Sequence, residues 1–330
     1  MRRIVCPDGT ATVRQHLSTE LGERLQQLGS FTWFDGRPET SESYLARVKN
    51  ADGILLNWDM PVEVLNSCPR LRIISFAGTD PRKFVDLSLA TRKGIVVTNT
   101  PDYGDHAVAE HTLALILCCA KRITQLNGLV HQGVWEQDRC NTELWGKTLG
   151  LVGLGGIAVE VARLAQTFGM RVLCWTRHST PERARRHAVE FVPLKELFEQ
   201  SDVVTLHVAH TPETEQIVTR ELLKLLKPGA IFVNTARAEL VDNRALVELL
   251  RAGKPGAVGL DVYDIEPVRH DNPFLGMDNA VLTPHVAFNT PEANLNILSI
   301  SVDNLVAFFS GRPQNVVNPE SLQQSGEEKG

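Results

Sequence analysis

The stretch from Thr148 to His178, TLGLVGLGGIAVEVARLAQTFGMRVLCWTRH, restricts the folds open to this chain more than any other. An apolar run of Leu149, Leu151, Val152 and Leu154 leads into Gly153-Leu154-Gly155-Gly156-Ile157-Ala158, a G-x-G-x-x-A pattern. Apolar residues then recur at Ile157, Val161, Leu164, Ala165 and Phe168, the spacing of one helix face, and Gly169 stands where a helix stops. A second apolar run, Met170 to Trp175, follows at once. The order is strand, glycine turn, helix, strand, which opens a parallel sheet.

Glycines in that context have a physical use, because a dinucleotide pyrophosphate must lie against bare backbone N–H groups at a helix N-terminus. Gly153 permits the tight turn and Gly155 lets the backbone approach. Gly156 and Ile157 open the helix, and the small Ala158 lets helix and strand pack closely. The competing reading is a glycine-rich turn in an unrelated α/β sheet. An acidic residue about 20 positions after the glycines would bond the ribose 2′-hydroxyl of NAD. Thr176-Arg177-His178 stands there instead. A hydroxyl with Arg177 can hold the 2′-phosphate of NADP(H), so NADP(H) is favoured and NAD is the alternative; Arg177 otherwise points into solvent.

A chain of 330 residues, 43% of them hydrophobic, is expected to form about two domains with real cores. The formal charge of -5 is mild, so nucleic acid and anionic membrane are poor partners. Cys6, Cys68, Cys118, Cys119, Cys140 and Cys174 form no C-x-x-C pair and read as free thiols of a reducing compartment. The N-terminal MRRIVCPDGT lacks the apolar run of a signal peptide, and the longest apolar run, Leu113 to Ala120, is too short to span a bilayer. A soluble, cytoplasmic protein is expected.

Along residues 1–100, short apolar runs (4–6, 31–34, 53–58, 71–76, 95–98) alternate with helical patterns (13–28, 43–49, 62–67, 87–93). That alternation predicts a small doubly wound α/β domain. A strongly apolar helix over 105–122 is expected to be buried between domains, and 123–146, with Trp135 and Trp145, reads as a subunit contact or a packed loop. Strands are then expected at 148–154, 170–175, 202–208, 230–236, 257–263 and 280–283, with helices near 194–199, 213–226 and 243–252. Six strands match two mononucleotide-binding halves. A long helix near 291–309 has no strand to return to and is expected to cross back, making the first domain discontinuous: 1–100 with 290–330, around 101–289. The tail SLQQSGEEKG reads as disordered.

Arg237, Glu266 and His285 stand just past the ends of the last three strands, the edge where open α/β sheets bind ligands. Singly, each has a plainer reading as a surface charge, a turn residue or a core histidine. Together they suit a carbonyl substrate: an arginine pairs with a carboxylate, a histidine moves a proton, and a carboxylate orients it.

Several separate blocks make the chain similar to the D-isomer-specific 2-hydroxyacid dehydrogenase family: Asn99-Thr100-Pro101 with Ala107 to His111; Val152 to Gly155; Thr211 to Thr214; Lys227 to Ala230 with Asn234 to Arg237; Gly259 to Val262 with Glu266-Pro267; and Thr283-Pro284-His285. The resemblance covers about Ile73 to Pro319. It implies a Rossmann cofactor domain inserted in a flavodoxin-like substrate domain, both doubly wound parallel sheets. It implies hydride transfer between NADPH, or NAD(H), and C2 of a 2-oxo or D-2-hydroxy acid, with His285 as the acid, Glu266 holding it and Arg237 binding the carboxylate. Backbone N–H groups around Ala77 and Gly78 would take the other carboxylate oxygen. Val208, Thr214, Thr235, Ala236 and Asp261 would join Gly153, Gly155, Gly156, Ile157, Thr176, Arg177 and His178 around the cofactor, Asp261 being otherwise a strand-end cap. A homodimer built on the larger domain is also implied, with Trp135 and Trp145 as contacts.

The chain departs from that family's pattern in places. Ala236-Arg237-Ala238 replaces Ser-Arg-Gly, and His210 replaces a leucine. Gly78 to Phe84 differs from the usual turn, so that Arg82 and Lys83 either face a second anionic group of the substrate or are solvated. Glu110 and His111 suggest a metal, but neighbours on a helix do not face each other, and none is assigned. Two rival functions stay open: a phosphite-type dehydrogenase, and a cofactor-sensing module like the corepressors that share this fold.

Overall fold

The structure, a computed structural model, describes residues 1–323; most of the polar tail, from residue 324 on, lies outside the described residues. The chain divides into two compact units. The smaller combines Met1–Gly104 with the chain from Thr290 onward, and the larger is Asp105–Asn289.

The smaller unit is built on five parallel strands, β1 (Arg2–Gly9), β2 (Gly29–Asp35), β3 (Gly53–Leu56), β4 (Ile73–Phe76) and β5 (Val96–Thr98). Their order β2-β1-β3-β4-β5 is the flavodoxin-like doubly wound arrangement. Strands β3, β4 and β5 are buried throughout, as a sheet covered on both faces requires. The helix Pro291–Phe309, capped by the Thr290 side chain, lays Leu298, Val302 and Leu305 against Ile4, Cys6, Leu55 and Ile73 on one face. The expected helix over 13–28 is two, Ala11–Arg14 and Thr19–Leu28. Ser18 breaks the run by capping the second, its hydroxyl accepting the Leu21 N–H at 3.2 Å.

The larger unit holds seven parallel strands: β6 (Thr148–Val152), β7 (Arg171–Trp175), β8 (Glu190–Phe191), β9 (Val203–Leu206), β10 (Ile231–Asn234), β11 (Ala257–Leu260) and β12 (Ala280–Leu282). Their order is β12-β11-β10-β9-β6-β7-β8, so the chain winds outward from β6 in both directions. The six strands expected become seven because β8 is two residues long, paired only with β7, and too short for any periodicity to show. The helix expected over 213–226 shrinks to Arg220–Leu225, since a turn closed by Thr214 occupies the rest.

The apolar helix Asp105–Lys121 belongs to the larger unit and covers β10 and β11. A Cβ on Gly259 would stand 3.0 Å from that of Leu115, which shows how closely helix and sheet approach. Arg122, with φ of +53°, ends it, and a second helix, Ile123–His131, follows with no buried residue. Beyond it Trp135 and Trp145 are 78% and 73% exposed, while Leu144 is buried in the core beneath. Among the described residues no single helix is long and apolar enough to cross a membrane.

Candidate active site

The order of strands in the larger unit reverses between β6 and β9, and the glycine turn lies there, at the carboxyl end of β6. Gly153 has φ of +107°, and a Cβ on it would stand 2.4 Å from the His207 carbonyl oxygen, so only glycine fits. The helix Gly156–Thr167 starts at Gly155 with no side-chain cap, and nothing lies within 4 Å of where a Cβ on Gly155 would be. A Cβ on Gly156 would collide with the Asp105 carboxylate. The first turn, with the Asp105 carboxylate beside Gly156, brings backbone N–H groups and the positive end of the helix dipole to the end of β6, a setting that suits a dinucleotide pyrophosphate. Ile157 and Val208 flank it, Ile157 packing on the core beneath and the Val208 side chain 2.9 Å from the position of a Gly153 Cβ.

At the end of β7, Arg177 and His178 are exposed, and the Thr176 hydroxyl is 3.4 Å from the His178 N–H. Arg183, which no local pattern marks, donates to the His178 carbonyl and to the Leu154 carbonyl, each at 2.6 Å. It braces the glycine turn against the loop after β7.

Two threonines expected around the cofactor make hydrogen bonds within the protein. Thr214 is 2% exposed; its hydroxyl donates to the Ala209 carbonyl at 2.7 Å and accepts the Thr211 N–H at 2.7 Å, closing its own loop. Thr235 pairs with Thr112 at 2.9 Å, toward the helix Asp105–Lys121. Ala236 lends only backbone: its N–H donates to Asn234 Oδ1, and its carbonyl accepts from Arg237 Nη1 at 2.7 Å. Asn234 also donates to the Arg237 carbonyl at 2.8 Å, so the turn that aims Arg237 is pinned from one side chain.

Past β11 and β12 the chain brings two of the three expected ionisable groups into contact. His285 Nδ1 and Glu266 Oε2 are 2.7 Å apart, with side chains 38% and 36% exposed. Glu266 Oε1 accepts the Tyr263 N–H at 3.0 Å. Partial burial pushes the Glu266 carboxyl up. The His285 hydrogen bond, the Tyr263 N–H, the His285 charge and the Arg237 charge together outweigh it and hold the group below the usual range. Asn243 ties the Arg237 turn to this loop, donating to the Ala238 carbonyl at 3.0 Å and to Asp264 at 2.7 Å.

Asp261, expected as a cofactor contact, is wholly buried with both oxygens occupied. They accept from the Thr283 hydroxyl at 2.7 Å, the Val286 N–H at 3.0 Å and the Ala287 N–H at 2.9 Å. His285 itself has φ of +54°, a region that side-chain-bearing residues enter only when their surroundings hold them there.

Residues 113–287 match the family model described as the D-isomer specific 2-hydroxyacid dehydrogenase NAD binding domain. A hydroxypyruvate reductase of Blautia hydrogenotrophica is 37% identical, over 89% of this chain and 94% of its own length. A glyoxylate reductase of Aeropyrum pernix is 38% identical, over 88% and 90%. Among solved structures, an acyclic imino acid reductase in complex with NADPH and D-Arg superposes with a TM-score of 0.84 at 28% identity, over 96% of this chain and 99% of that one.

The chain belongs to the D-isomer-specific 2-hydroxyacid dehydrogenase family.

This family member differs from its expected pattern most in the smaller unit. There the amide donors expected to take a carboxylate are already engaged, Ala77 N–H with the Leu56 carbonyl at 2.7 Å and Gly78 N–H with the Phe76 carbonyl at 3.0 Å. Arg82 is held by Asp80 through two hydrogen bonds of 2.8 and 2.7 Å, so its charge is answered within its own turn. In the larger unit His210 stands 3.9 Å from the Glu215 carboxylate. His111, which suggested a metal beside Glu110, has its Nε2 3.0 Å from the Thr283 hydroxyl. Tyr263, unremarked in the sequence, donates its hydroxyl to the Thr283 carbonyl at 2.9 Å and its N–H to Glu266.

Proposed function

We propose that this protein is an NADPH-linked reductase of small 2-oxo acids, acting reversibly on D-2-hydroxy acids, with Arg237, Glu266 and His285 as its catalytic residues. The observation that carries the reading is the 2.7 Å contact between Glu266 and His285 Nδ1. It leaves Nε2, the other ring nitrogen, without a partner among the described residues and available to face a substrate.

The chemistry supplied by a bound reduced nicotinamide is delivery of a hydride to C2 of the 2-oxo acid. Glu266 keeps the His285 ring oriented, so that a proton carried on Nε2 is aimed at the oxygen that becomes the hydroxyl. Arg237 binds the substrate carboxylate and draws electron density from the adjacent carbonyl. The turn at Gly153, Gly155 and Gly156 would hold the pyrophosphate, and Thr176 with Arg177 the 2′-phosphate. Arg183 keeps those two segments in register through its bonds to Leu154 and His178. The NADPH in the imino acid reductase complex supports the choice of cofactor. The same family likeness supports a homodimer, for which exposed Trp135, Trp145 and the unburied helix Ile123–His131 offer surface.

The test is NADPH consumption over glyoxylate, hydroxypyruvate, pyruvate and bulkier 2-oxo acids, for the wild type and His285→Ala. The variant is expected to lose about 10²–10⁴-fold in turnover, the range for a general acid, with NADPH affinity intact. Normal turnover in His285→Ala would refute the assignment.

A further inference from the structure

We propose that His111 is a positioning residue for His285, acting through Thr283 and Asp261; the inference rests on the reading of His285 as the proton donor. Thr283 has one hydroxyl proton, and the 2.7 Å contact gives it to Asp261 Oδ1. The 3.0 Å contact from His111 Nε2 must then be a donation to the Thr283 oxygen, which sets the His111 tautomer with its proton on Nε2. Polarity therefore runs one way, from imidazole N–H to hydroxyl to carboxylate. His111 Nε2 also lies 3.7 Å from Asp261 Oδ1.

The chain ends where it matters for chemistry. Asp261 spends its remaining capacity on the N–H groups of Val286 and Ala287, the two residues that follow His285. His285 sits at φ of +54°, so its turn is held from outside: by the Thr283 N–H on the Leu260 carbonyl at 2.9 Å before it, and by Asp261 after it. Asp261 is buried, and a carboxyl group in that place needs the donors that satisfy it. Removing His111 frees the Thr283 hydroxyl to turn away, which strips Asp261 of a donor and loosens the turn that aims the ring of His285. An isolated core histidine would show no such directed path to one loop.

The experiment uses the intact enzyme and the best substrate of the panel, with kcat, KM and NADPH Kd measured for His111→Ala, His111→Gln, Thr283→Val, the double variant His111→Ala/Thr283→Val, and His285→Ala. In His111→Ala, kcat is expected to fall about tenfold, the equivalent of ~1.4 kcal/mol, while KM and NADPH Kd stay within about twofold. His111→Gln keeps a donor at similar reach and restores most of kcat. Thr283→Val, which cuts the same path without enlarging a cavity, matches His111→Ala, and the double variant is no worse than either. Wild-type kcat in both His111→Ala and Thr283→Val, a His111→Gln no better than His111→Ala, or strictly additive losses would each overturn the proposal. If His111→Ala does not fold, Thr283→Val and His111→Gln still decide it. Turnover surviving in His285→Ala would refute the assignment of the acid instead, so the two failures are separable.

Discussion

Glu266→Gln alters the charge of the acid's partner and almost none of its shape. The amide keeps an oxygen able to accept the Tyr263 N–H that now reaches Oε1 at 3.0 Å, so the loop should hold. Its NH2 then faces His285 Nδ1 at the 2.7 Å contact. When the ring is an imidazolium, Nδ1 carries a proton, and donor meets donor. The loss is one charge-assisted hydrogen bond, worth ~1.5–3 kcal/mol. The two side chains are 36% and 38% exposed, and water screens part of the interaction, which places the loss at the lower end. About 1.5 kcal/mol taken from the transition state is a factor of about ten in rate. The assay is steady-state NADPH oxidation at saturating 2-oxo acid. A roughly tenfold drop in kcat with unchanged NADPH Kd and an unchanged far-ultraviolet circular dichroism spectrum is expected. A Glu266→Gln enzyme within twofold of wild-type kcat would refute the claim that this carboxylate holds the acid in its working form.

Two further outcomes follow from the same geometry. Replacing Thr176 with Asp and Arg177 with Ala should weaken NADPH binding at least about tenfold, one lost charge-assisted contact, and spare NADH, read by titrating each cofactor; equal NADPH affinity would count against 2′-phosphate recognition there. Burial depresses the His207 ring from the ordinary 6.5 to about 3, so between those pH values the unfolded chain binds a proton that the native chain refuses. Stability should therefore fall as pH drops through that window, by up to ~1.4 kcal/mol per pH unit, and urea midpoints at pH 7.5 and 5.0 should differ less in His207→Gln than in wild type. Equal differences would exclude the ring.

The amino-acid sequence by itself determined the parallel α/β architecture, because alternating apolar runs and helical spacing state which faces must be covered. It also determined the glycine turn, since a backbone at φ of +107° beside the His207 carbonyl admits one residue type. Short elements escaped it: β8 has two residues, and the unburied helix Ile123–His131 carries no apolar stripe facing a core. The site was legible only as positions after strand ends. That Glu266 meets His285, that Thr214 and Thr235 turn inward, and that His111 reaches Thr283 across 172 residues of chain were decided by tertiary structure. Hydrogen bonds act over about 3 Å, and separation along the sequence says nothing of that distance until the sheet has brought its strand ends together.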